Sequence, residues 1–207
     1  MSLANDSDRK SRLKVGVDVP WVTSWSAEAV GGVGPCPSVG GRLALRQGEK
    51  PGFGRPIYSQ NHFRRQRLSI RDMLCPLCGR PTQAGDRWSQ TARRVPAGVL
   101  RARGLFRSAP ETASDEQVLL DCGAIAPGHR ACMERSLSQC PHLGGLANSP
   151  LLAFPDVWKV SAITVAATGP PGPVAAAYAA PRPPVAIAFL QLCGVTDAVD
   201  RRWRKRL

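Results

Sequence analysis

Apolar and polar positions alternate in short bursts along this chain, and few runs last longer than eight residues. Lys14-Val-Gly-Val-Asp-Val19 and Arg42-Leu-Ala-Leu-Arg46 carry the two-residue period of short strands, the second an edge strand. Gln117-Val-Leu-Leu-Asp-Cys122 alternates in the same way, and Trp158-Lys-Val-Ser-Ala-Ile-Thr-Val-Ala166 adds β-branched content. Asp86-Arg-Trp-Ser-Gln90 reads as a strand pairing back as a hairpin after the Thr82-Gln-Ala-Gly85 turn, whereas Gly31 to Gly41, with Pro35 and Pro37, reads as a loop. Leu68 to Leu74 leads directly into Cys75, and Trp21 and Trp25 are placed to clamp the N-terminal segment onto the body. Helical periodicity follows Pro127-Gly128, in Arg130-Ala-Cys-Met-Glu-Arg-Ser-Leu-Ser138, and Pro141 stops it. Val185-Ala-Ile-Ala-Phe-Leu-Gln-Leu-Cys-Gly-Val195 is apolar throughout and reads as a short docking helix or a partner-binding segment. Together these signals predict an α+β fold: a small, loop-rich module with short antiparallel strands, one main helix and irregular flanking segments.

Composition sharpens the division of the chain. With 20 Gly, 19 Pro and only 6% aromatic residues, no large regular core is expected. Residues 1–13 are polar and expected to be disordered, and 14–74 form a basic segment packed on the central module. Residues 75–165 make up that module, interrupted by an acidic, flexible insertion at 107–116. A Pro/Ala-rich linker follows at 166–184, then the apolar segment and basic tail at 185–207. Pro181, Arg182, Pro183 and Pro184 break the most apolar stretch, leaving no uninterrupted span of about 20 apolar residues and no predicted membrane helix. Seven cysteines, an odd number, and an acidic-polar start without a leader point to a reducing cytoplasm.

Chemistry concentrates in two cysteine-containing pairs. Cys75-Pro-Leu-Cys78-Gly79 has the spacing that lets a tight turn aim two thiolates at one point, with Gly79 free to take positive φ. His129-Arg-Ala-Cys132 opens the helical pattern, and positions i and i+3 share one face of a first turn. The two pairs supply four ligands for one tetrahedral Zn2+, a structural ion, in a treble-clef-like layout of knuckle followed by helix start. The intervening insert is tolerable because the cost of loop closure grows slowly with length. Cys140 would sit about 16 Å beyond His129 along a helix and cannot reach the same ion. It is read as a buried residue at the helix end, and His142 as a cap or packing residue; Cys122, a strand residue, is the substitute ligand should His129 not bind. Cys36 and Cys193 read as buried thiols, and His62 as a surface or phosphate-contact residue.

The formal charge of +13 is unevenly placed. From Arg42 to Arg107 arginines recur, and only Glu49, Asp72 and Asp86 oppose them. Arg64, Arg65, Arg67, Arg71, Arg80, Arg87, Arg93 and Arg94 form the candidate nucleic-acid surface, because the guanidinium fork matches phosphate and binding gains counterion release. Phe53, Tyr58, Phe63 and Trp88 interleave with this charge and read as core rather than base-stacking platforms.

Three stretches share a pattern with known sequences: Pro51-Gly-Phe-Gly-Arg-Pro-Ile-Tyr58, Arg64 through Gly79, and His129-x-x-Cys132-x7-Cys140-Pro-His-Leu143. Over roughly residues 18–145 the chain resembles a group of uncharacterised zinc-binding proteins from actinobacteria and their phages. In many of those the second pair is Cys-x-x-Cys, and a Cys-to-His exchange is what a zinc-ligand position permits. No Ser/His/Asp arrangement, phosphate-cradling loop or carboxylate pair accompanies the metal pairs, which argues against an enzyme. The expected function is a non-catalytic zinc protein that contacts nucleic acid, as a phage or mobile-element accessory or regulatory protein. A protein-interaction adaptor docking through the C-terminal segment, and a treble-clef nuclease with an open metal position, are the alternatives.

Overall fold

A computed structural model of the chain describes residues 9–102, 113–139, 151–166 and 185–203. In chain order its elements begin with β1 (Thr23–Trp25), β2 (Val30–Pro35), β3 (Leu43–Gln47), β4 (Pro56–Asn61) and α1 (Phe63–Arg71). β5 (Trp88–Ser89), β6 (Arg93–Pro96), α2 (Ala97–Ala102), β7 (Gln117–Gly123) and α3 (Arg130–Gln139) follow. The last strands are β8 (Leu152–Ala153), β9 (Trp158–Ala166) and β10 (Val185–Val199). This is a mixed α+β architecture, rich in strands.

Strand β10 is the spine of a six-stranded sheet. One edge pairs antiparallel with β9, from Val185 opposite Ala166 to Gly194 opposite Trp158. The other edge is shared: β3 lies parallel beside its first half at Ile187, and β7 lies antiparallel beside its second half from Leu192 onward. Beyond them β2 pairs with β3 and β6 with β7. The expectation of a docking helix or partner-binding segment at Val185–Val195 is therefore corrected. Ala186, Ile187, Ala188, Leu190, Leu192 and Cys193 are all buried, because a strand covered on both faces is apolar at consecutive positions and loses the alternation that betrays a strand.

Where β3 hands over to β7, a side chain fills the gap. Gln66 of α1 accepts a hydrogen bond from Leu190 N–H at 3.0 Å and donates to Leu190 O at 2.7 Å and Ala124 O at 2.8 Å, as a strand residue would. Its neighbour Arg67 donates to Leu45 O (2.9 Å), Ala188 O (3.0 Å), Ile187 O (3.2 Å) and Ser38 Oγ (2.9 Å). Helix α1 thus lies across the sheet junction with polar side chains facing inward. Arg65 closes the same helix onto the N-terminal segment through a buried two-pronged ion pair with Glu28, at 2.6 and 2.7 Å. The hydrophobic core joins Ile70 of this helix and Met73 just after it to Leu120, Phe154, Ile187, Leu190 and Leu192. A second cluster gathers Ala97, Leu100, Leu119 and Cys193 beneath α2.

Several expectations shift. Two helices, α1 and α2, join the one foreseen at α3, and β2 occupies part of the Gly31–Gly41 loop. Lys14–Val19 is a turn closed by Asp18 accepting from Lys14 N–H at 2.8 Å, not a strand. The strand at Arg42–Arg46 lies inside the sheet rather than at its edge. β5 pairs with β8 instead of folding back as a hairpin strand after the Thr82–Gly85 turn. Residues 1–8, 107–112 of the insertion, 167–184 of the linker and 204–207 of the tail lie outside the described residues, as do Cys140 and His142.

Candidate metal centre

The first ligand pair is built by a closed turn. Cys75 N–H donates to Arg80 O and Gly79 N–H to Cys75 O, each at 2.8 Å, while Leu74 and Pro81 pair across the base. Gly79 takes φ +74°, and an added Cβ there would lie 2.8 Å from Trp21 Cγ. Trp21 and Val22 in turn donate their N–H groups to Leu77 O (2.8 Å) and Pro76 O (3.1 Å). The N-terminal segment thereby holds the knuckle in shape, and Trp21 is the clamp.

The second pair is set by the approach to α3. Gly128 exchanges two backbone hydrogen bonds with Trp88, both at 2.9 Å, and Asp86 accepts from Arg130 N–H at 2.9 Å, capping the helix start. His129 and Cys132 then lie on one face of the first turn. A side chain at Gly128 has no room: its Cβ would sit 2.9 Å from the Cys75 sulfur and 2.3 Å from Met133 Cε.

The ligand atoms of Cys75, Cys78, His129 and Cys132 all fall within 4.8 Å of one another, close enough to hold one metal ion. His129 Nδ1 is 3.5 Å from Cys78 Sγ and 4.0 Å from Cys132 Sγ. Tetrahedral coordination at ordinary zinc bond lengths places sulfur about 3.8 Å from sulfur and about 3.5 Å from nitrogen. His129 Nε2–H donates to Pro81 O at 3.1 Å, which leaves Nδ1 as the free lone pair aimed at the sulfurs. Three thiolates and an imidazole make a complete, soft donor set with no position left for a reacting water.

Without a cation such a cluster resists full ionisation. Burial, followed by the neighbouring Cys75 and Cys78 sulfurs, pushes the Cys132 thiol up to about 12. Burial also raises Cys75, against the N–H groups of Cys78, His129 and Leu77 that point at its sulfur. Burial acts the same way on Cys78 but is outweighed by the Arg80 backbone N–H and side chain, which bring it down to about 7. A divalent ion removes this conflict by neutralising the thiolates together.

The remaining cysteines stand apart from this group. Cys122, the substitute ligand considered for His129, is buried in β7 within the main core, and burial pushes its thiol up to about 12. Cys193 is buried in β10 with its thiol likewise raised by burial. Cys36 lies buried beside Ser38 Oγ at 3.1 Å.

The candidate arginine surface divides. Arg64, Arg71, Arg80, Arg93 and Arg94 are exposed, Arg64 against Glu49 and Arg71 against Asp72 at 2.7 Å. Arg87 is half-buried and stacks 4.8 Å over the Trp158 ring. Arg65 and Arg67 are corrections: at 3% and 0% exposed, their guanidinium groups are committed to Glu28 and to sheet carbonyls, out of reach of phosphate. His62 is a correction as well. It is fully buried as the N-cap of α1, its Nδ1 accepting from Arg65 N–H and its Nε2–H donating to Gly48 O at 2.9 Å. Trp203 packs against Gly98 of α2, and Phe63 packs on Phe189 with ring centroids 5.1 Å apart.

Sequence reasoning missed two groups that orient the ligands, Pro81 O and Asp86, whereas Trp21 was expected as a clamp and Gly128 as part of the Pro-Gly step. Only the Pro-Gly step before His129 and the glycine after Cys78 signalled the turns around them. No described helix is long and apolar enough to cross a membrane. No protein-family model, curated protein or solved structure matches the chain.

Proposed function

We propose that this chain is a non-catalytic structural-zinc protein that binds nucleic acid through its exposed arginines, acting as a phage or mobile-element accessory or regulatory protein. The observation that carries the reading is the convergence of Cys75, Cys78, His129 and Cys132 on one point, with Arg80 exposed on the same knuckle. Zinc suits three thiolates and an imidazole at these spacings. The chain order of knuckle, antiparallel β6–β7 pair and α3 supports a treble-clef description. Four converging ligands also weigh against the nuclease alternative, which needs an open coordination position. The interior position of β10 supports the zinc reading over an adaptor that docks through the apolar part of the C-terminal segment.

The nucleic-acid surface narrows to Arg64, Arg71, Arg80, Arg87, Arg93 and Arg94. Filter binding of short DNA and RNA duplexes and single strands, at 50 and 200 mM salt, tests it. If about four phosphates are neutralised, affinity falls about 10²-fold across that range. Binding unaffected by salt, or no binding by the zinc-loaded chain at low salt, would reject the reading.

A further inference from the structure

Among the described residues, three strands of the main sheet pair on one side only: β2, β6 and β9. Exposed strand edges invite pairing with another chain, and proteins ordinarily blunt them with charge, proline, glycine or bulges. β2 is blunted by Gly31, Gly32, Gly34 and Pro35 and by an irregular register against β3. β6 carries Arg93, Arg94 and Pro96. β9 is the least protected of the three. It runs nine residues without glycine or proline, bears the single charge of Lys159, and its register irregularity against β10 arises between Ile187 and Phe189 on β10.

Exposed apolar side chains gather at the same place. Val160 and Val165 are 37% and 38% exposed, and Val185, opposite Ala166 across the β9–β10 ladder, is 58% exposed. The far end of this strand pair, Thr164 to Ala166 with Val185, is exposed on both faces.

We infer that β9 is a self-association edge, whose occupant is β9 of a second copy of this chain, paired antiparallel about a two-fold axis at Ala162. The sequence fits its own reverse. Centring the pair on Ala162 sets Val160 opposite Thr164 and Ser161 opposite Ile163, cross-strand partners that favour strands, with the smallest side chain on the axis. Each Lys159 falls opposite Val165 of the other copy. The two ammonium groups then lie about 20 Å apart along the ladder, beyond the screening length at physiological salt, so the basic character of the chain does not oppose pairing. An isologous pair satisfies the β9 edges of both copies in a closed dimer, so neither β9 remains to propagate a fibre.

Sedimentation of the zinc-loaded full chain over a hundredfold concentration range tests this. The expected result is a mass rising toward twice that of one chain. Ala162→Lys and Ala162→Glu each place like charges face to face on the axis and are expected to stay monomeric, with unchanged zinc content and near-ultraviolet circular dichroism. Mixing the two variants in equal amounts restores a dimer, since the facing charges are then opposite. A wild-type chain that stays monomeric at every concentration, including one that captures only foreign β-peptides, overturns the inference. So does dimerisation that persists in either single variant, or a mixture that remains monomeric.

Discussion

Replacing Arg67 by Met gives the most direct reading of how this fold is held. Arg67 is 0% exposed, and its guanidinium donates to three backbone carbonyls of two strands and to Ser38 Oγ. Hydrogen bonds from a charged donor contribute about 1.5–3 kcal/mol each, while the desolvated cation itself costs several kcal/mol. Met fills similar volume and removes the buried charge but leaves the carbonyls at the β3–β10 junction without their donor. The net loss is about 3–4 kcal/mol, which for a chain of this length lowers Tm by about 10 °C. Arg67→Lys keeps the charge yet cannot span the same acceptors, and is expected to lose at least half as much. Thermal unfolding of the zinc-loaded proteins by circular dichroism measures both. A Tm change under about 3 °C in Arg67→Met would refute the view that this side chain solvates the sheet junction.

Gln66→Leu removes the bridge at Leu190 and is expected to cost about 2 kcal/mol, read from the urea midpoint. Gly128→Ala pushes against the Cys75 sulfur and weakens zinc affinity about 10- to 100-fold in competition with a chromogenic chelator. Zinc binding at pH 7 releases about two protons or more, because Cys132 and Cys75 are raised and protonated in the metal-free chain while Cys78, near 7, is about half ionised. Affinity therefore rises with pH and falls on acidification, and calorimetry in buffers of different ionisation enthalpy counts the protons. Arg93→Glu with Arg94→Glu is expected to weaken nucleic-acid binding and reduce its salt slope by about two, with Tm unchanged.

The candidate metal ligands were legible because coordination chemistry imposes a spacing on the chain itself: Cys75-x-x-Cys78-Gly79 reads as a knuckle before any packing is known. The strands at β3, β7 and β9 were legible from alternation. Helix α1 was not, because Arg65, Gln66 and Arg67, polar in sequence, point into the protein to satisfy Glu28 and the open edges of β10. That inversion also misdirected the arginine reading, since burial of a guanidinium depends on carbonyls brought from Leu45 and Ala188, distant in sequence. β10 was hidden by its own burial: an apolar run covered on both faces carries no period to separate strand from helix.

Elemental analysis of the purified chain by plasma mass spectrometry tests the central claim, with the Cys78→Ser, Cys132→Ser double variant alongside. One zinc per wild-type chain and none in the variant is the expected result. A wild-type chain without metal, or a variant that keeps a full equivalent, would contradict it.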